Sequence, residues 1–385
     1  MTKKVNTFIV VGTRPEAIKM APVIKELKER NNEFTVWLCV TGQHQEMLYQ
    51  VLEHFELIPD FDLRVMEENQ TLTTLSSKIL LGIQQQLILI KPDIVLVHGD
   101  TTTAMVTGLA CFYASIPVAH IEAGLRTGNL KAPFPEEFNR RVLALSSKLH
   151  FAPTELAETN LLEEKISKDS ITITGNTVID ALYWTIDKIE TSDLKQKIVK
   201  FVDNELKIDW RNSTYVLITG HRRENFGQGF IEICNAIAEL AMSFPNVHFI
   251  YPVHLNPNVK QPVYNILSKI SNVHLISPLG YPEFSLLLKH SSIVLTDSGG
   301  IQEEAPSMGV PVLVMRDTTE RPEAVDAGTV KLVSSSKRQI IDGVTTLLTD
   351  TDEYNKMAKA HNPYGDGKAS ARIADGLTDY FINEI

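Results

Sequence analysis

The sequence predicts an α/β protein of two doubly wound domains facing across a cleft. Three observations predict this. Short apolar runs rich in Val, Ile and Phe alternate with longer stretches of helical period, the pattern of parallel βαβ units. The alternation occurs in two sets along the chain. Between the sets lies "TSDLKQKIVKFVDNELKIDWRNST", charged and without strand signals, so the domain junction falls just before or within it.

In the first set, "TFIVVG", "FTVWLCVTG", "DIVLVHGD", "IPVAHIEAG" and "KLHFAPT" read as buried strands, each followed by a turn and a helix-like stretch. The second set is "YVLITGHRREN", "VHFIYPVH", "NVHLISPLG", "SIVLTDSGG" and "VPVLVMRD". The halves echo one another. Both "DIVLVHGDTTTAMVTGLACFYASIPVAHIEAG" and "SSIVLTDSGGIQEEAPSMGVPVLVMRDTTERPEA" run strand, small-residue loop, helix and Pro-Val strand. Ligands of open α/β sheets bind beyond the carboxyl ends of the strands, so these loops should line the cleft.

The chain of 385 residues is 43% apolar and 22% charged, enough to bury large cores, and its formal net charge is -10. That balance makes nucleic acid and anionic membranes poor partners, while a small anion can still be held where a few cations converge. Cys39, Cys111 and Cys234 are scattered in apolar or helical contexts and read as buried free thiols in a reducing cytosol. The first apolar run is too short for a signal peptide. No stretch approaches the ~18 apolar residues of a membrane span, so a cytoplasmic location is expected.

The loops carry the chemistry. After the first strand, Gly12 permits a tight turn, Pro15 suits a first helical position, and Pro22 should kink the helix. A helix starting there aims free N–H groups and the positive dipole end at an anion, with Arg14 on the turn and Lys19 following. The letters Arg-Pro-Glu-Ala recur at Arg321, a match that is weak apart from its context. "TDSGGIQEEA" places Asp297, Ser298, Gly299 and Gly300 between a strand and a helix, where small side chains admit a phosphate. Glu304 follows, either to accept ribose hydroxyls or simply as a carboxylate favoured by the dipole. No Walker lysine and no dinucleotide fingerprint follows a strand, which argues against nucleotide hydrolysis and against a tightly held nicotinamide; no cofactor is expected.

Asp100, Glu122, and the pair Glu136 and Glu137 fall at strand ends or a proline-led helix start, positions suited to acid/base work. His98 and His120 precede two of these acids by two residues and so share their strand faces. Ligand spacing for a metal is absent, and buried, hydrogen-bonded histidines are the expectation. His221, Arg222 and Arg223 at a strand end, with His254, suggest contacts to phosphate or sugar. Gln43 and His44 suit a binding loop.

Together, "GTRPEAIKMAP", "VHGDTTTA", "HIEAGLRTG", "PFPEEFNRR", "TGNTVIDAL", "HRREN", "YPVHLNP", "TDSGGIQEEAP" and "RDTTERPE" closely resemble the non-hydrolysing UDP-N-acetylglucosamine 2-epimerases of bacteria, in order and over nearly the entire chain. The resemblance implies a GT-B-like fold of two Rossmann-type domains. It divides the chain into 1–177, onto which a last helix near 370–385 packs back, and a UDP-binding domain at 178–369. It implies a homodimer that interconverts UDP-N-acetylglucosamine and UDP-N-acetylmannosamine for cell-surface polysaccharide. By the same resemblance the catalytic carboxylates are Asp100, Glu122 and Glu136, with His221 beside them. Nucleotide and diphosphate contacts fall on Arg14, Lys19, Ser298, Gly299, Gly300, Glu304 and Arg321. Some members bind a second UDP-N-acetylglucosamine as activator, and Gln43, His44, Gln70, Glu136, Arg222 and His254 match that site. The chain departs at Asn69, where such members carry an arginine, losing a bidentate diphosphate contact.

Removing the weakly acidic proton from carbon 2 without an oxidant calls for elimination. A carboxylate takes the proton, UDP leaves carbon 1, and UDP re-adds to the 2-acetamidoglucal with a proton delivered to the opposite face. Any of the acids could fill either role. Both Arg-Pro-Glu-Ala turns are expected to face the cleft and share the leaving group. A GT-B glycosyltransferase, a hydrolysing epimerase, a UDP-sugar sensor and a metal-dependent phosphoesterase are the competing readings. The sensor fits poorly, because a binder of an anion gains little from nearby carboxylates.

Overall fold

Strands form where runs of β-branched and aromatic residues meet Gly, Pro or Asp. The first sheet contains β1 (Val5–Val11), β2 (Phe34–Val40), β3 (Phe61–Asp62), β4 (Ile94–His98), β5 (Val118–Ile121), β6 (Leu149–Ala152) and β7 (Ile171–Ile173), in the order β3-β2-β1-β4-β5-β6-β7. The second contains β8 (Tyr215–Thr219), β9 (His248–Pro252), β10 (Val273–Ile276), β11 (Ile293–Thr296), β12 (Val312–Val314) and β13 (Val330–Leu332), in the order β10-β9-β8-β11-β12-β13. The pairings are parallel throughout. Helices cross over between strands and cover both faces, which is why Phe8, Ile9, Val10 and Val11 are all buried in succession. This computed structural model describes residues 4–42, 45–67 and 70–383; the readings placed on Gln43, His44 and Asn69 lie outside the described residues.

The chain divides into two units, Met1–Tyr183 with Tyr364–Ile385, and Trp184–Pro363. The helix Ala369–Asn383 belongs to the first. Asp180 caps its start by accepting the N–H groups of Ala369 (3.2 Å) and Ser370 (2.8 Å), and Arg30 Nη1 reaches Asp375 at 2.6 Å. The segment expected at the junction forms the helix Leu194–Leu206 of the second unit. The helix Arg14–Glu29 runs on through Pro22. Three short strands, β3, β7 and β13, have no counterpart in the sequence reading. Among the described residues no helix is long and apolar enough to cross a membrane.

In both sheets the chain order reverses between two neighbours, β1 and β4 in one and β8 and β11 in the other. Loops diverge there and leave a crevice at the carboxyl ends of the strands. Gly124, just past β5, shows how closely the surrounding backbone packs. Its φ is +95°, and a Cβ there would lie 2.2 Å from the Ala157 carbonyl oxygen. Gly124→Ala should therefore lower the stability of the first unit by ~2 kcal/mol or more. An earlier urea midpoint would show this, whereas an unchanged midpoint would mean that the Ala157 backbone yields.

Candidate active site

In the first unit a single carboxylate organises the switch point. Thr13 caps the helix Arg14–Glu29, and Glu16 completes a capping box. Glu16 Oε2 accepts the N–H groups of Gly12 (2.9 Å) and Thr13 (2.7 Å), while Oε1 accepts the Thr101 hydroxyl at 2.6 Å. Thr101 itself caps the helix Thr102–Tyr113. The loops after β1 and β4 are thus pinned together by a side chain only 2% exposed. Burial pushes the Glu16 pKa from 4.5 up to about 7, against the pull of these hydrogen bonds.

The candidate acids gather around this pin. Asp100 follows β4 and pairs with Arg140, while Asn139 Nδ2 donates to its carbonyl at 2.8 Å. Both partners lie on the helix Glu136–Ser146, so the helix that begins with Glu136 docks on the Asp100 loop. Glu122, after β5, sits at φ 63°, a left-handed conformation that costs a non-glycine residue roughly 1–2 kcal/mol. Its Oε2 accepts from the Lys19 ammonium and from Asn176 Nδ2 (2.9 Å), with His98 Nε2 at 3.7 Å. A Cβ on Gly99 would lie 3.8 Å from Glu122 Oε1, which sets this carboxylate beside the residue preceding Asp100.

Glu137 does different work. Fully buried, it accepts the N–H groups of Thr127 (3.0 Å) and Gly128 (3.3 Å) and pairs with Arg140 and Arg141. It shapes the loop and leaves Glu136, half-buried at the helix start, as the acid of the pair available to a ligand. Burial pushes His98 down to about 4 and His120 to about 3, so both are neutral near pH 7. His120 Nε2 lies 2.7 Å from the Gly99 carbonyl and braces that loop. Among the described residues no cluster of His, Cys, Asp and Glu is arranged to hold a metal.

In the second unit, Ser298 precedes the helix Gly299–Ser307, which starts at the carboxyl end of β11 and so leaves its first N–H groups at that end of the sheet. Arg321 Nε donates to Glu303 at 2.7 Å, and a Cβ at Gly299 would come within 2.7 Å of Arg321 Nη1. Only glycine lets the guanidinium lie against this helix start, so a cation and free N–H groups are presented side by side. Glu304 accepts from Tyr281 Oη at 2.9 Å. Across the switch point, buried Asp297 accepts the N–H groups of His221 and Arg222. The His221 ring stacks on His254 at 5.3 Å with 17° between planes.

The family can now be given. A family model described as UDP-N-acetylglucosamine 2-epimerase matches residues 25–378. The chain belongs to the UDP-N-acetylglucosamine 2-epimerase family. It is 54% identical over 385 residues to the enzyme of that name from Campylobacter jejuni, covering 100% of both chains. Identity to that of Escherichia coli K12 is 53% over 382 residues, covering 98% of this chain and 100% of the other. The crystal structure of UDP-GlcNAc 2-epimerase from Neisseria meningitidis bound to UDP-GlcNAc is similar with a TM-score of 0.90 at 51% identity, covering 97% of this chain and 100% of that one. The α/β, GT-B-like fold expected from the sequence holds.

Within this epimerase-family fold, Asp100, Glu122, Lys19 and the Glu136 helix come together in the first unit. Ser298, Gly299, Gly300, Glu304 and Arg321 do so in the second, with His221, Arg222 and His254 at the neighbouring strand end. Arg14 is the first residue of its helix. Of the remaining residues matched to an activator, Gln70 lies in the first unit. The repeated Arg-Pro-Glu-Ala does not build a repeated structure. Arg14 follows a Thr13 cap and opens a helix of 16 residues, whereas Arg321 is itself the cap of a helix of 5 residues. Glu320 stands where Thr13 stands in the first copy and forms no such box. Sequence reasoning also passed over Glu16, Asn176, Arg140 and the carboxylate of Asp297. The position of Asp297, one residue past a strand, was the available signal.

Glu16 gives this part of the site a pH signature. Its folded-state pKa is raised, so its contribution is fully present below pH 4.5 and is lost as pH rises through about 7. A raise of that size corresponds to roughly 3 kcal/mol. Urea unfolding of the protein and of Glu16→Gln should therefore show the native residue's relative stability falling as pH is raised across that window. A difference independent of pH would mean that Glu16 does not titrate there.

Proposed function

We propose that the protein interconverts UDP-N-acetylglucosamine and UDP-N-acetylmannosamine without releasing free sugar, by elimination and re-addition of UDP. The observation that carries this is Glu122. In a chain of this family, an acid is held in a left-handed conformation with its carboxylate lodged beside the Asp100 loop. Strained backbone kept in place by several partners is found at functional sites, which supports a reacting role for this acid.

A carboxylate among Asp100, Glu122 and Glu136 takes the proton from carbon 2 as the bond from carbon 1 to the diphosphate oxygen breaks. The electron pair of the C–H bond forms the ring double bond, and UDP leaves with the pair of the C–O bond. Return of UDP, with a proton delivered to the other face of carbon 2 by a second acid, gives the epimer. No electrons are gained or lost overall, so the reaction needs no redox cofactor. Departure of UDP is favoured by fixed positive charge, which the Gly299 helix start and Arg321 supply, with His221 assisting as a hydrogen-bond donor and Arg14 and Lys19 completing the nucleotide contacts. Lys19 also pairs with Glu122 and holds that carboxylate in place. Glu304 exchanges the Tyr281 hydroxyl for ribose hydroxyls, a role supported by its accepting that hydroxyl in the free protein. Binding of a second UDP-N-acetylglucosamine as activator by Gln70, Glu136, Arg222 and His254 is supported by the stacking of His254 on His221, which would let one ligand influence the other.

Proton NMR of the protein with UDP-N-acetylglucosamine in heavy water tests the reaction. UDP-N-acetylmannosamine carrying deuterium at carbon 2 is expected. Free N-acetylmannosamine would instead indicate a hydrolysing enzyme, and no product without an acceptor would indicate a transferase. In the same assay Asp100→Asn should lose at least ~100-fold in turnover. The protein is further proposed to be a homodimer. Leu81, Ile88, Leu89, Phe112, Tyr113 and Leu145 are exposed on the helices Leu72–Ile90, Thr102–Tyr113 and Glu136–Ser146, which pack side by side. Sedimentation should give a dimer that Phe112→Asp weakens; a monomeric native protein would refute the assembly.

A further inference from the structure

We propose that Asp297 is a positioning residue that acts through His221, fixing the backbone of the β8 loop and setting its carboxylate behind the imidazole. The inference rests on the functional reading above, in which His221 assists the departure of UDP.

The sheet dictates the contact. β8 and β11 are parallel neighbours with Thr219 opposite Thr296, so the chain one step beyond each strand meets at the switch point. Asp297 N–H donates to the Thr219 carbonyl at 3.2 Å, extending the pairing by one residue. Its short side chain then crosses to the other loop. Asp297 accepts the His221 N–H at 3.1 Å on Oδ1 and 2.9 Å on Oδ2, the Arg222 N–H at 2.8 Å, and Asn225 Nδ2 at 3.3 Å. The carboxylate is 0% exposed, and these N–H donors satisfy it in the interior. His221 Nδ1 lies 3.7 Å from Oδ1, within reach of that carboxylate, while the side chain is 44% exposed toward solvent.

The groups around His221 pull in opposite directions. Burial lowers its pKa most, and Arg222 and His254 lower it further; Asp297 alone raises it. His254 Nδ1 accepts the Asn256 N–H at 3.1 Å, which holds its ring against that of His221. Without Asp297, every remaining influence opposes imidazolium. The negative charge that develops on departing UDP would then meet a ring that holds a proton less readily. Such a loss falls on the step in which charge develops, and so on kcat more than on KM.

The full chain, selectively labelled at histidine, permits an NMR titration of His221 in the native protein and in Asp297→Asn. The His221 midpoint should fall by about one pH unit. Turnover should drop about tenfold or more with a smaller change in KM, and the pH optimum should move downward. In a His221→Asn background, Asp297→Asn should cost no more than about twofold further, because the group it acts through is gone. An unmoved His221 midpoint, or an undiminished loss in that background, would overturn the proposal and leave Asp297 a purely structural anchor. Full turnover in His221→Asn alone would overturn the functional reading of His221, a result from which the titration is independent. If Asp297→Asn does not fold, the native protein decides by amide exchange. His221 and Arg222 lie outside helix and strand, so slow exchange of their N–H groups reports the Asp297 bonds, and fast exchange would rule them out.

Discussion

Glu16 in the first unit and Asp297 in the second each bury a carboxylate at the point where the sheet's chain order reverses. Each uses it to bond the backbone of one loop to the neighbouring loop. The two pins run in opposite senses. Glu16 follows the central strand β1 and reaches Thr101 beyond β4; Asp297 follows β11 and reaches His221 and Arg222 beyond β8. The physical constraint is the same in both. Splayed loops at a switch point expose backbone N–H groups that must find acceptors, and a buried carboxylate has lone pairs enough to serve several at once. Every candidate functional residue on these loops takes its position from that arrangement.

The acids of the first unit show how costly placement is met by many partners. Glu122 occupies a backbone conformation unfavourable to its side chain. Lys19 from the first helix, Asn176 from the loop after β7 and the Gly99 loop all converge on its carboxylate. Arg140 and Asn139 perform the corresponding service for Asp100 from the helix that Glu136 begins. Neutral His98 and His120 fill the space between without adding charge, so the electrostatics of the cluster are set by carboxylates, Lys19 and Arg140.

The second unit handles charge differently. At the end of β11 it carries a helix start bare of side chains at Gly299 and Gly300, and a guanidinium held against it by Glu303. The first unit is rich in acids and the second presents donors.

Much of this was legible in the sequence. The long central strands announce themselves as apolar runs because both faces of a parallel sheet are buried, and the loops that follow them are found by position alone. Strands β3, β7 and β13 escaped notice because they are edge strands of two or three residues, too short to show a period; their pairing is decided by the neighbour already in place. The residue types needed for acid/base and anion chemistry could likewise be picked out at strand ends, and the family resemblance rests on those same stretches. What the linear chain could not decide is which of several similar groups is spent on holding the structure. Glu136 and Glu137 are adjacent letters, yet one is bound into a loop and the other begins a helix at the site. Two identical Arg-Pro-Glu-Ala runs differ because Thr13 can cap a helix and Glu320 does not. Asp297 reads as part of a small-residue loop until the neighbouring strand brings the His221 backbone to it. Hydrogen bonds between residues remote in sequence depend on strand order and register, and these are properties of the folded sheet.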